Sequence, residues 1–352
     1  MKKRLVSLDM AKGVGILCVL LKHCFAVTPP KTIIIDLLGS LMFIFFFISG
    51  YNYKPGKRTV LQSVKQRAKQ ILIPFYLYSA VIIAFAYIFY IATGEQILHN
   101  ILNDTISFYC GTISRELQVL LGTFWFLPVM FLSSVLFFLT ADYALKSTKR
   151  IILVSLALTV ASALVVGYTS VVPWRLPLVP VCTAVMMIGA YAGQRKFFEN
   201  PPFKGAKLAF SILCAAALSV VLTVIFGSSD LISIGVFGNF GGWSVFTAVI
   251  ICLVQIYMLV FGCELMSKSE LAKKVFSWFG VYSMQILVTH LALAKFISEL
   301  TGWSYGAMEL RGGMESVIQI LQNIALCLLT IGLLVCWLLI WGKIKESAKK
   351  GR

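Results

Sequence analysis

The sequence predicts an all-α integral membrane protein of about ten transmembrane helices with both termini in the cytoplasm. Three observations carry that expectation. The chain of 352 residues is 59% hydrophobic and only 13% charged, and its mean hydropathy is +0.89. Apolar runs of about twenty residues, the length a helix needs to cross hydrocarbon, recur from one end to the other. The basic residues are unevenly distributed. Of 31 Lys and Arg, 24 fall in the tails and in alternate connecting segments, four in the remaining segments and three within spans, which is the positive-inside pattern that sets orientation.

The expected spans cover 10–27, 33–53, 71–92, 122–141, 151–167, 177–193, 208–226, 244–264, 275–298 and 316–342. The first is expected to be retained, because "MKKRLVSLDM" leads into it without a small-residue cleavage site. The basic inner segments run from Lys54 to Lys69, past Asp142, through "QRKFFENPPFKGAK" and through "SKSELAKK". Paired prolines make Glu199-Asn-Pro-Pro a turn, since they cannot continue a helix. The longer outer segments, 93–121, 227–243 and 299–315, carry Glu95, Asp104, Glu116, Asp230, Glu299, Glu309 and Glu315, each of which reads singly as a solvated loop acid. No internal repeat or attached soluble domain is visible, so residues 1–352 are expected to form a single polytopic domain.

The net charge of +17 does not indicate nucleic acid. The cations are spread over all the inner segments, where anionic lipid headgroups attract them, instead of forming one patch. The nine cysteines show no C-x-x-C spacing and eight lie in or beside spans, which suggests neither a disulfide framework nor a metal site.

Chemistry is concentrated in the first helix, "DMAKGVGILCVLLKH". An isolated charge in hydrocarbon costs ~2.5 to 3.5 kcal/mol on insertion scales, so intramembrane ionisable groups mark function by default. Lys12 and His23 are separated by about three turns of ~3.6 residues, so they share a face and stand ~16 Å apart along the axis. Asp9, one turn before Lys12, is placed to pair with it. Lys22 reads as a residue that snorkels to headgroups. Gly13 and Gly15 leave room for a neighbouring backbone or a ligand. Desolvation keeps a membrane histidine neutral, the form a general base needs. His290, in "VYSMQILVTHLAL", falls at a similar depth, with Ser283 seven residues earlier on its face. Two of three histidines thus point to a common cavity.

With these residues in view, the chain resembles the membrane acyltransferase-3 family, integral O-acyltransferases of bacterial glycans. "LDMAKGVGILCVLLKH" is similar to that family's first helix, in which a basic residue is followed by ten others and a His essential for transfer. "MFIFFFISGY" resembles its aromatic-rich second helix, "QRAKQILIPFY" its basic entry to the third, "TFWFLP" its Trp-Phe-Leu signature and "YSMQILVTH" its late helix. Lys12 stands where Arg is commoner, a variant associated with the fucose-4-O-acetylase-like branch. The family's R-x-x-R pattern reads Arg67, Ala68, Lys69, Gln70, so the second basic position is lost unless Lys69 substitutes.

The resemblance implies a multi-pass protein of the bacterial cytoplasmic membrane, surrounded by membrane lipids. It implies acetyl-CoA as the cytoplasmic donor and a glycan or lipid-linked sugar as the acceptor. Lys12, Arg67 and Lys69 become the candidates for the donor's phosphates. The pantetheine arm is expected to run past Lys12, Gly13 and Gly15 towards His23, which acts as general base or is itself acylated. Lys12, His290 and Trp125 join His23 as catalytic candidates, while Trp125, Tyr282 and Ser283 are candidates for oxyanion or substrate contacts. A transporter or flippase of a lipid-linked glycan is the alternative, since intramembrane Lys and His also mark permeation paths.

Overall fold

The computed structural model describes residues 5–24, 41–93, 101–111, 120–166, 173–226, 243–303 and 313–350. They form α1 (Val6–Cys24), α2 (Phe43–Tyr51), α3 (Val60–Thr93), α4 (Ile101–Tyr109), α5 (Phe126–Ala144), α6 (Thr148–Val165), α7 (Val179–Gln194), α8 (Gly205–Phe226), α9 (Ser244–Met266), α10 (Glu270–Val281), α11 (Ser283–Thr301) and α12 (Gly313–Lys350). No strand occurs among the described residues. A short 3-10 helix, Pro173–Leu178, leads into α7.

Seven helical stretches in α3, α5, α6, α7 with its 3-10 lead, α8, α9 and α12 are long and apolar enough to cross a membrane. Their positions follow the expected spans closely. Of the other three, only the ninth is altered by the structure. α1 carries Asp9, Lys12 and Lys22 and is too charged to qualify on composition. α2 is described only over Phe43–Tyr51. The ninth expected span, 275–298, is corrected: it is two helices, α10 and α11, bent by 76°. The break falls at Tyr282, whose φ of −95° and ψ of 11° leave the helical region, just after Gly280 and β-branched Val281, which both hold a helix weakly.

Burial separates inner from outer helices. The spans of α5, α7 and α9 are 50 to 67% buried, whereas those of α3, α6, α8 and α12 are 22 to 28% buried. The outer four expose Leu, Ile, Val and Phe side chains, which suits a hydrocarbon solvent. α1 lies among α2, α9, α10, α11 and α12, and α7 lies among α2, α5, α6 and α9.

Glycines set the two closest crossings. A methyl on Gly13 would run into the Phe276 carbonyl of α10, and one on Gly280 into the Asp9 carbonyl of α1. Gly50 abuts the Met186 backbone, while Gly189 and Gly193, four residues apart on α7, abut those of Phe47 and Tyr51. Lipid gives no hydrophobic drive to join helices, so close packing at small residues does that work. Gly13 is therefore a helix-packing residue. Gly15 faces the Ile44 side chain of α2.

The outer acids fall mostly beyond what is described: Glu95, Glu116, Asp230 and Glu309 lie outside the described residues, and only backbone is described at Asp104 and Glu315. Glu299 pairs with Lys295 one turn earlier, which neutralises the cation expected within that span. α4 occupies part of a segment expected as loop and returns to α3, where the hydroxyls of Tyr109 and Ser79 hydrogen-bond at 3.0 Å.

Gly189→Ala is expected to destabilise the protein by about 1 to 3 kcal/mol, because its methyl meets backbone that no rotamer change can move. Gly262→Ala, whose methyl meets nothing, should be neutral or slightly stabilising. Thermal unfolding of both variants in detergent checks the contrast.

Candidate functional site

The expected loop from Lys54 to Lys69 is loop only as far as Thr59. There a capping box begins α3: the Thr59 backbone N–H donates to Gln62 Oε1 at 3.1 Å, and the Gln62 N–H donates to Thr59 Oγ1 at 3.3 Å. Helical spacing then places Ser63, Gln66, Arg67 and Gln70 on one face and Lys69 on another. That face closes a cavity of about 490 Å³, whose wall includes Lys12, Lys54, Lys57, Arg58 and Arg67 and no carboxylate. Lys12 is paired with Asp9; the other four cations around the space repel one another and favour an anion among them, and guanidinium forks match phosphate oxygens in particular.

A second cavity of about 280 Å³ continues from the first, with Phe45, Ser49, Arg67 and Gln70 shared between the two walls. Its remaining lining is Ile71 of α3, Phe126, Leu127 and Met130 of α5, and Ser283, Met284 and Leu287 of α11. The Arg67 guanidinium donates to Ser49 Oγ at the junction. The route thus passes from a polar, cationic antechamber into a mostly apolar chamber.

Leu287 of the chamber wall lies one helical turn before His290 on α11, and neither His290 nor His23 is among the residues that line the two cavities. His290 is 1% exposed, and its ring lies 5.3 Å from that of His23, tilted by 47°. The two histidines do meet. Nδ1 of His290 lies 2.8 Å from the Ile286 carbonyl, which can only accept, so Nδ1 carries the proton. Nε2 then bears a lone pair, is buried and has no hydrogen-bond partner among the described residues. Cys24 of α1 and Cys327 of α12 are both buried free thiols. Among the described residues no three His, Cys, Asp or Glu side chains converge on a metal-sized space.

Residues 5–341 match the family of acyltransferase domains. The chain belongs to that family. No curated protein and no solved structure matches it. As a member with several bilayer-length apolar helices, it is a multi-pass membrane acyltransferase.

Within this acyltransferase, Lys12 lines the cationic cavity and makes the expected ion pair with Asp9 at 2.8 Å. Arg67 lines both cavities, whereas Lys69 is exposed and off the wall. The expected path past Gly13 and Gly15 is corrected, because α10 and α2 fill those sides of α1. The open route runs between α2, α3, α5 and α11 instead. Ser283 reaches the chamber. The Tyr282 ring packs tilted by 50° against that of Trp278, with centroids 4.8 Å apart, and is absent from the chamber wall. Lys22 is half-buried. Trp125 lies at the start of α5, with the Arg175 guanidinium 5.3 Å over its ring. Sequence reasoning passed over Lys54, Lys57 and Arg58 as generic inner charge and Arg175 as an ordinary outer cation. The capping box at Thr59 was the signal that would have separated Arg67 from Lys69.

Inorganic pyrophosphate should raise the unfolding temperature of the wild type. Arg67→Ala should weaken that binding about tenfold or more, the worth of a charge-assisted contact, while Lys69→Ala should leave it unchanged. Titrated thermal shifts at fixed ionic strength measure both.

Proposed function

We propose that the protein moves an acyl group, acetyl in the simplest case, from acyl-CoA to a hydroxyl of a glycan or lipid-linked sugar. The single observation that carries this reading is the cationic cavity joined through Arg67 and Ser49 to a mostly apolar chamber, whose wall residue Leu287 stands one helical turn from the histidine that packs on His23. The donor enters at the basic end, which the positive-inside pattern places in the cytoplasm of a bacterial cell. Its phosphates lie against Lys12, Lys54, Lys57, Arg58 and Arg67. Its pantetheine arm threads the chamber, where Ser49, Gln70 and Ser283 offer hydrogen bonds to its amides. The ~16 Å between Lys12 and His23 suits an extended arm.

His23 accepts the proton of the acceptor hydroxyl as its oxygen attacks the thioester carbonyl. The C–S bond of the resulting tetrahedral species breaks, and the sulfur leaves as CoA thiol with the proton from imidazolium. The buried His290 ring, 5.3 Å from that of His23, acts by packing: it holds the His23 imidazole in place while one of its nitrogens takes the proton.

His23→Ala in purified protein should lower acceptor-dependent release of CoA thiol by at least about a hundredfold, while thermal stabilisation by CoA persists. His290→Gln should lower turnover with less change in KM for acetyl-CoA. Unchanged transfer in His23→Ala would overturn the mechanism, and absence of any stabilisation by CoA would favour a transporter.

A further inference from the structure

At the end of the molecule that holds the histidine pair, a small pocket of about 60 Å³ is walled by Phe75, Phe108, Phe124, Trp125, Trp174 and Arg175. Four separate segments build it: α3 through Phe75, α4 with the turn after it, the lead into α5 with its first turn, and the 3-10 helix before α7. Trp174 and Arg175 both adopt left-handed backbone, with φ of 54° and 51°. Neither residue type favours that region, and consecutive outliers persist only where the surroundings impose them, typically at ligand clamps. The clamp is visible here. The Trp174 backbone N–H donates to the Gly111 carbonyl at 3.3 Å, and Gly111, at φ of 86°, has no room for a side chain against the Trp174 indole.

The pocket's polar groups are donors. The Trp174 Nε1–H is buried and has no acceptor among the described residues, and the Arg175 guanidinium lies over Trp125. A buried donor without an acceptor is costly, so the space suits an occupant bearing oxygen. A hydrocarbon chain would fill the aromatic walls but leave the N–H unmet. A sugar ring satisfies both, with C–H faces against the aromatics and hydroxyl oxygens towards the donors. At about 60 Å³ the pocket admits the edge of one ring, leaving the rest of the molecule open to the surroundings.

Its position gives direction. Thr123 Oγ1 donates to the Leu287 carbonyl at 2.9 Å, pinning the pocket's α5 wall to α11 one turn before His290. We infer that the Trp125, Trp174 and Arg175 pocket holds a sugar ring of the acceptor and presents its hydroxyl to the histidine pair from the side opposite the donor. This inference rests on the acyl-transfer reading for the chemistry after binding, but the pocket's occupancy can be measured apart from it.

The test titrates simple methyl glycosides, one neutral hexose, one deoxyhexose and one uronic acid, against the full-length protein in detergent. Tryptophan fluorescence and thermal shift are the readouts, and CoA is titrated in parallel. At least one glycoside should bind the wild type. Trp174→Phe, which keeps the ring and removes the N–H, and Arg175→Gln should each weaken it about tenfold or more, with CoA binding unchanged as the control for folding. Glycosides that bind wild type and variants alike, or that fail to bind a wild type that binds CoA, would overturn the inference. Trp174-dependent glycoside binding without CoA binding would uphold the pocket and remove the acyl-transfer reading.

Discussion

A helix carrying Asp9, Lys12, Lys22 and His23 can stand in a bilayer only if protein surrounds its polar face, because hydrocarbon offers no partner to an ionisable group. α1 is accordingly enclosed by five other helices. The closest of them, α10, comes within backbone contact because Gly13 and Gly280 face each other. That contact sets the geometry of the histidine pair. α10 is held along α1, the chain bends at Tyr282, and α11 leaves in the direction that brings His290 against His23. A side chain at either glycine would separate the helices and with them the two imidazoles.

The site divides its work by polarity. One cavity is broad, open and cationic, so water and salt moderate the repulsion between its like charges. The chamber joined to it is mostly apolar, where electrostatic interactions act at lower dielectric. Arg67 touches both spaces and donates to Ser49 between them. Among the described residues it is thus the cation placed to meet a ligand that extends from one space to the other.

Several parts of this arrangement were legible in the letters alone. Apolar composition located most helices to within a few residues, because a span of hydrocarbon demands a run of matching length whatever its neighbours are. The three-turn spacing of Lys12 and His23 and the depth of His290 came from helical geometry. The Asp9–Lys12 pair came from their i,i+3 spacing. The exposure of Lys69 was also encoded, in the Thr59 and Gln62 capping box that starts α3 ten residues before its neighbour Gln70 enters the apolar run. Treating 54–69 as a uniform basic loop concealed it.

By itself the sequence determined a helical membrane protein, the spacing of the ionisable groups along α1 and its family signature, since these depend on local composition and on the period of one helix. The tertiary structure decided which way each small residue and each cation faces. It turned Gly13 to α10, opened joined cavities between α2, α3, α5 and α11, bent the ninth span at Tyr282 and brought Trp174 and Arg175 to Trp125. Those outcomes depend on contacts between residues far apart in the chain, and a period of ~3.6 residues carries no information about which neighbour a helix face will meet.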